Sequence, residues 1–257
     1  MSTRPTIFVI NLDSEVQRRR SMTARLAELG LETTWIQAVD GRGELGASMS
    51  NRADMARAEK VYGTLVPAEI ACALSHLAVY RAMVAGNIPY ALVLEDDMAL
   101  DADVPALIEA LGPSSILTHL PPGSASVVHF SFVKRARRFG GARLGHRRLS
   151  RTVGSAWATG SYLLTLEAAK RLAATRDPVW TVADHWEAIA KDAKLTLWCV
   201  SPACARETAE GAASSSISIA GKQRRVAPPQ TLSTRVKRLV YRSVIRPLTT
   251  REIPRGE

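Results

Sequence analysis

Three adjacent carboxylates, Glu95, Asp96 and Asp97, close an apolar run from Tyr90 to Leu94. An open α/β sheet puts its ligands beyond the carboxyl ends of its strands, and in an extended backbone Glu95 and Asp97 face one side while Asp96 faces the other. Like charges about 4 Å apart repel by roughly 4 kcal/mol at an effective dielectric near 20, so a cation is a natural way to hold such groups together. Ligands that are all oxygen suit Mg²⁺ or Mn²⁺ rather than zinc. A metal bridging phosphates neutralises the charge that develops when a nucleoside diphosphate departs. The bland alternative is an acidic turn that ends a strand in solvent, and spacing alone does not decide between the two.

The elements that must position these groups alternate along the chain. Thr6 to Ile10 reads as a buried strand ending at Asn11-Leu12-Asp13. A helix over Glu15 to Leu29 follows, with Met22, Leu26 and Leu29 at helical spacing, Ser14 as its cap and Gly30 as a left-handed stop. Thr33 to Val39 reads as a second strand closed by Asp40-Gly41, and Gly41 to Thr64 as a substrate loop with a short helix around Arg52 to Glu59. Pro67 precedes a helix over Ala68 to Ala85, Gly86 stops it, and Pro89 introduces the Tyr90 strand. Beyond the carboxylates the pattern predicts a helix over Val104 to Leu111, a strand over Val127 to Val133 and a basic connection from Lys134 to Arg151. It then predicts a strand over Trp157 to Thr165, helices over Glu167 to Thr175 and Asp184 to Asp192, and a last strand over Leu195 to Val200. Strands alternating with helices predict an α/β fold with a mostly parallel sheet.

In this order and spacing, several short motifs resemble glycosyltransferase family 25, the lipopolysaccharide-biosynthesis group that is also similar to the procollagen galactosyltransferases. They are Val9-Ile10-Asn11-Leu12-Asp13, the Arg18-Arg19 pair with Met22, Ala38-Val39-Asp40-Gly41, Glu69-Ile70-Ala71-Cys72-Ala73-Leu74-Ser75-His76 and Leu94-Glu95-Asp96-Asp97. Ser161 to Thr165 with Ala169, and Ala183-Asp184-His185, extend the likeness to most of the chain. The resemblance implies a nucleotide-sugar-binding, Rossmann-like fold of the GT-A type and, commonly, galactose transfer from UDP-galactose with Mn²⁺. Carried over residue by residue, it implies Glu95 and Asp97 as metal ligands with Asp96 beside the donor phosphates. Asn11, Leu12, Asp13, Asp40, Glu69, Ser75 and His76 become donor-binding candidates, and Asp184, alongside Asp97 in the catalytic group, a general base if the reaction inverts the anomeric centre. Ala68 and Ala71 depart from the family pattern, which has glycines there, as do Ala183 and the placement of Gly160. Each candidate has a packing alternative: His76 as a core histidine, Glu69 as a helix N-terminal acid, Asp184 as an N-cap, and Arg18-Arg19-Arg20 as a solvated helix face.

Composition bounds the rest. The chain has 257 residues, 46% hydrophobic and 23% charged, ordinary for a globular protein. Cys72, Cys199 and Cys204 form no C-x-x-C pair and read as reduced thiols. No signal-peptide pattern opens the sequence and no run reaches the roughly 20 apolar residues of a membrane span, so a cytoplasmic protein is expected. The net charge of +10 concentrates in Lys134 to Arg151 and Lys222 to Arg255; a basic face can serve nucleic acid, anionic lipid or a phosphorylated substrate. We expect a catalytic domain over 1–210, a linker over 211–221 and a basic amphipathic tail over 222–257. Leu232, Val236, Leu239, Val240 and Val244 share one arc of that tail, suited to peripheral contact with an anionic inner-membrane surface. The expected partners are a nucleotide-sugar donor and a glycolipid or polysaccharide acceptor. Rival readings are a metal-dependent phosphoryl or nucleotidyl transferase and a non-catalytic basic module for nucleic acid or membrane; few aromatics and no nucleic-acid motif argue against the last, so no nucleic-acid partner is expected.

Overall fold

The computed structural model describes residues 5–43, 46, 48–111, 123–154, 156–214 and 246–253. β1 (Thr6–Asn11) is buried along nearly all its length, as a strand covered on both faces must be, and its apolar residues divide by the period of two. Phe8 and Ile10 join one core, with Ala91, Val93, Tyr162 and Leu164. Ile7 and Val9 join the other, with Leu92, Leu94 and Leu163. Each core is roofed by helices, giving three layers.

α1 (Val16–Glu28) presents Met22 and Leu26 to the second core, and Gly30, at φ +64°, turns the chain into β2 (Thr34–Gln37). No side chain caps this helix; Ser14 instead accepts from Arg42 at 2.8 Å. The expected substrate loop holds a 3₁₀ turn (Met49–Arg52) and α2 (Met55–Val61), whose Asp54 cap accepts from the Arg57 N–H at 2.9 Å. α3 (Pro67–Ala85) buries most of its length in the first core. By length and composition alone α3 could cross a membrane, but 61% of its apolar window is buried within the fold.

β3 (Tyr90–Glu95) leads through Asp96-Asp97 into the short β4 (Met98–Leu100). Next come α4 (Val104–Ala110) and β5 (Ser126–His129), which ends four residues before the expected Val133. The stretch from Lys134 to Arg151 is not the irregular connection its composition predicts. It forms β6 (Arg135–Arg137), β7 (Ala142–Leu144) and β8 (Arg147–Arg151), with Ala136, Arg147, Leu149 and Ser150 buried and Arg137 and Arg151 exposed.

β9 (Ser161–Thr165), α5 (Leu166–Thr175), α6 (Trp186–Asp192) and β10 (Thr196–Ser201) complete the main sheet. β10 is not the last strand: β11 (Ala205–Glu207), α7 (Ala209–Ser214), α8 (Arg246–Thr249) and β12 (Thr250–Glu252) follow. β12 pairs with β6, and Ile253 is buried, so this end of the basic tail docks on the domain. The amphipathic stretch from Leu232 to Val244 lies outside the described residues, as does most of the expected linker.

The eight-stranded sheet runs β2-β1-β3-β9-β5-β10-β8-β7. β9 and β8 alone oppose the common direction, so the sheet is mostly parallel as expected. From β1 the chain moves to β2 on one side and later to β3 on the other. The strand order therefore reverses between β1 and β3, where open sheets form a ligand crevice. Asn11 and Glu95 end those two strands.

Candidate active site

The carboxyl ends of β1 and β3 are tied together by charge-assisted hydrogen bonds. Asn11 Nδ2 donates to Asp96 Oδ2 at 2.7 Å, and Arg18, from α1, donates to Asp96 Oδ1 at 3.0 Å and lies 3.6 Å from Asp97 Oδ2. Two of the clefts among the described residues meet at this acidic corner, and Glu95 and Asp97 line both. The narrower, of about 290 Å³, lies between the ends of β1 and β2 and the start of α3. The broader, of about 710 Å³, opens toward β8, β11 and the segment before α6, and contains Asp184.

Asn11, Leu12, Asp40, Ser75, His76 and Asp96 all line the narrow cleft. Gly41 makes this possible: a Cβ there would stand 2.8 Å from the Pro67 carbonyl oxygen and 2.9 Å from the Ala71 Cβ, so only glycine lets the loop lie against the start of α3. Asp40 is held by Arg42, which also reaches Glu15, and this bidentate pairing keeps the Asp40 carboxyl below the usual range. The Ser75 hydroxyl accepts from the Val39 N–H at 2.9 Å and donates to Ala71 O, pinning the end of β2 to α3.

Two candidates are placed elsewhere. Asp13 is exposed and accepts from Gln37 outside both clefts. Glu69 is buried at the N-terminus of α3, its two carboxylate oxygens taken by the Val66 N–H and the Tyr62 hydroxyl, which is the helix-start role set against donor binding above. Asp184 does not cap α6; His185 occupies that position, which leaves the Asp184 side chain on the broad cleft.

His76 is neither an isolated packing residue nor directly exposed. Its Nε2 meets Glu95 Oε1 at 3.2 Å and its Nδ1 meets the Tyr162 hydroxyl at 2.8 Å, which continues to Tyr80 at 3.1 Å. A buried relay thus fixes Glu95 from behind. Tyr162 lay within a motif of the sequence but its partners are 82 and 86 positions away, and Tyr80 carried no signal.

Electrostatics separate the three carboxylates. Burial works against the Glu95 carboxylate, but His76, Thr159 and Arg18 more than offset it, and its pKa is lowered. Burial raises Asp96 despite Asn11 and Arg18. Asp97 is pushed up to about 7 by burial first and the Glu95 charge second. Its Oδ1 is buried without a hydrogen-bond partner among the described residues. A crowded, under-compensated carboxylate beside a second one is a donor set that fits a hard divalent cation.

Cys72, His76 and Glu95 also bring ligand atoms within 4.8 Å of one another. Burial, then the charges of Glu95 and Asp184, hold the Cys72 thiol far above its usual pKa, and His76 is already engaged by Glu95 and Tyr162. A protonated thiol is a poor ligand, so the oxygen pair is the better cation site. All three cysteines are unpaired.

Residues 4–186 match the family model described as Glycosyltransferase family 25 (LPS biosynthesis protein). Similar curated proteins include a Glycosyltransferase 25 family member of Aedes aegypti, 34% identical over 103 residues, and one of Drosophila pseudoobscura pseudoobscura, 34% identical over 100 residues. Each match covers 37% of this chain and 16% of the relative, so the likeness spans a small part of those longer proteins. Among solved structures, a mannose-1-phosphate geranyltransferase from Thermus thermophilus aligns with a TM-score of 0.38 and 15% identity, over 77% of this chain and 74% of its own. A glycosyltransferase involved in glycosylation of the major capsid of PBCV-1 aligns with a TM-score of 0.30 and 11% identity, over 67% and 66%.

Proposed function

The chain belongs to glycosyltransferase family 25, and on that premise we propose that it transfers a hexose, galactose from UDP-galactose, to a lipopolysaccharide or other surface-glycan acceptor. The observation that carries the reading is the acidic corner shared by two clefts, with the buried Asp97 Oδ1, which has no hydrogen-bond partner among the described residues, at their junction.

In this reading the narrow cleft takes the nucleotide, with Asn11, Leu12 and Asp40 along its wall and Arg18 near the phosphates. The broad cleft takes the sugar and the acceptor. Glu95 and Asp97 hold Mn²⁺ or Mg²⁺, which when bound supplies neutralisation of charge on the departing diphosphate. His76, backed by Tyr162 and Tyr80, keeps Glu95 oriented. Asp184 accepts the proton of the acceptor hydroxyl as that oxygen bonds to the anomeric carbon and the bond from that carbon to the diphosphate oxygen breaks, the step of an inverting transfer. A cytoplasmic location with membrane contact through the Leu232 to Val244 segment suits a lipid-linked acceptor.

A thermal-shift panel of nucleotide sugars with and without Mn²⁺ tests this, because a ligand bound only by the folded state raises its stability. The expected result is a metal-dependent shift with UDP-sugars that Asp97→Ala abolishes, and a product whose mass has increased by one hexose. A phosphoryl or nucleotidyl increment would replace the proposal with the rival chemistry, and the absence of any nucleotide-sugar shift would end it.

A further inference from the structure

The chain as a whole is strongly basic, yet among the described residues the lining of the broad cleft is not. Its acidic lining is Glu95, Asp97, Asp101, Asp184 and Glu207. The basic side chains that line it each face an aspartate: Arg147 and the exposed Arg206 pair with Asp101, and the exposed His146 lies 3.4 Å from Asp103. Arg147 donates to Asp101, to both oxygens of Asp103 and to the carbonyls of Pro202 and Ala203, so its side chain is saturated and buried. Arg206 is paired with Asp101 at 2.6 Å. Among the described residues the basic stretch ending at Arg151 therefore offers this cleft no uncommitted arginine. Donor loading does not reverse the balance, because a divalent cation and the two charges of a diphosphate diester cancel.

What the cleft offers instead suits an uncharged ring. Trp157 lines it, half-buried, with one face stacked on His185 at 4.6 Å and 11°. His185 is steadied by Thr181 at 3.1 Å and by the neighbouring Tyr62 ring. The indole is thus a braced platform beside Asp184, the proposed base. Ser131 adds a buried hydroxyl without a hydrogen-bond partner among the described residues. An aromatic face with a few polar groups around it is the usual way an apolar sugar face is bound in a pocket.

We infer that the broad cleft is a subsite for an uncharged pyranose acceptor stacked on Trp157, and that it rejects acceptors bearing a carboxylate or phosphate close to the receiving hydroxyl. The inference rests on the glycosyltransferase reading above and adds the class of acceptor. A like charge placed against such a lining is disfavoured strongly enough to set specificity.

The test uses the full chain and two probes that differ at one carbon, methyl β-galactopyranoside and methyl β-galactopyranosiduronate, titrated by saturation-transfer NMR with and without UDP and Mn²⁺. The uronate is expected to bind about tenfold more weakly. Trp157→Ala should weaken the neutral glycoside about tenfold while Trp157→Phe restores most of the affinity. Glu207→Lys, at an exposed position of β11, should narrow the gap between the two probes. Equal binding of the uronate, unchanged glycoside binding in Trp157→Ala, or no binding of either glycoside overturns the inference. Failure of UDP with Mn²⁺ to bind overturns the donor reading instead, and the glycoside titrations without UDP still decide the acceptor class.

Discussion

The two clefts that share Glu95 and Asp97 are built on opposite electrostatic plans. In the narrow one, cations and anions are already joined, Arg18 to Asp96 and Arg42 to Asp40, and the neutral Asn11 amide also donates to Asp96. In the broad one carboxylates predominate; of the two guanidiniums at its far wall, Arg147 is saturated by Asp101, Asp103 and carbonyl groups, and the exposed Arg206 pairs with Asp101. A site that must accept a diphosphate together with a cation gains from paired charges that can be redistributed. A site for a polyhydroxylated neutral ring gains from acceptors and an aromatic face. The junction between them is where charge is least compensated, which makes Asp97 the first place to strain the comparison.

Asp97→Ala should reduce both donor hydrolysis and transfer by about 10³-fold, the scale of losing a preorganised electrostatic group. Its melting temperature should stay level or rise, because the mutation removes a buried carboxylate oxygen that has no partner among the described residues. Product mass spectrometry and a thermal melt read the two effects. Loss of folding with loss of activity would make Asp97 structural and dissolve the contrast between the clefts.

The wall behind the broad cleft predicts a pH effect of the next size. His129 is fully buried edge-on against Trp186, and burial lowers its pKa to about 4. Between its ordinary value near 6.5 and that value, the unfolded chain binds a proton that the folded chain refuses. Stability contributed by neutral burial is thus complete above pH ~6.5 and falls as pH drops to about 4, by about 3 kcal/mol in total. Urea melts across that range should show His129→Phe losing less stability than the parent; parallel curves would remove His129 from the account.

Smaller again is the relay behind Glu95. Tyr162→Phe leaves His76 Nδ1 and the Tyr80 hydroxyl without their shared partner, which should cost about 1–3 kcal/mol of stability. Because a partner that orients a ligand typically matters 10- to 100-fold to metal affinity, the Mn²⁺ concentration giving half-maximal thermal shift should rise by about that factor. A stability loss with unchanged Mn²⁺ dependence would make the relay core packing only.

What the sequence could reveal follows the range of the interactions involved. The acidic corner was legible because its three carboxylates are consecutive and end a strand. The order of β1, α1, β2, α3 and β3 was legible because apolar periodicity and the glycines at 30 and 86 are local signals. The strands from Arg135 to Arg151 were hidden because arginine occupies exposed and buried positions alike, with Arg147 itself buried, and only Ala136, Leu149 and Ser150 follow the residue types expected of an inner face. Arg18 reads from sequence as part of a solvated helix face, and its pairing with Asp96, 78 positions away, needed the fold. The helix role of Glu69 was available from its position three residues after Val66, whereas the closure of that site by Tyr62 was not.

The mildest prediction separates the clefts most cleanly. Arg42 is exposed and pairs with Asp40 and Glu15, and it donates to the Ser14 hydroxyl, all at the rim of the narrow cleft. Exposed ion pairs add little to folding, so Arg42→Ala should leave the melting temperature unchanged. A guanidinium near bound phosphates adds charge-assisted contacts, so the donor KM should rise about three- to tenfold, with the difference shrinking as salt screens the charge. The acceptor KM and kcat should not move, because Arg42 lies outside the broad cleft. If the acceptor KM rises and the donor KM does not, the occupants of the two clefts are the reverse of those assigned, and the acidic lining of the broad one would then have to be explained as facing the nucleotide.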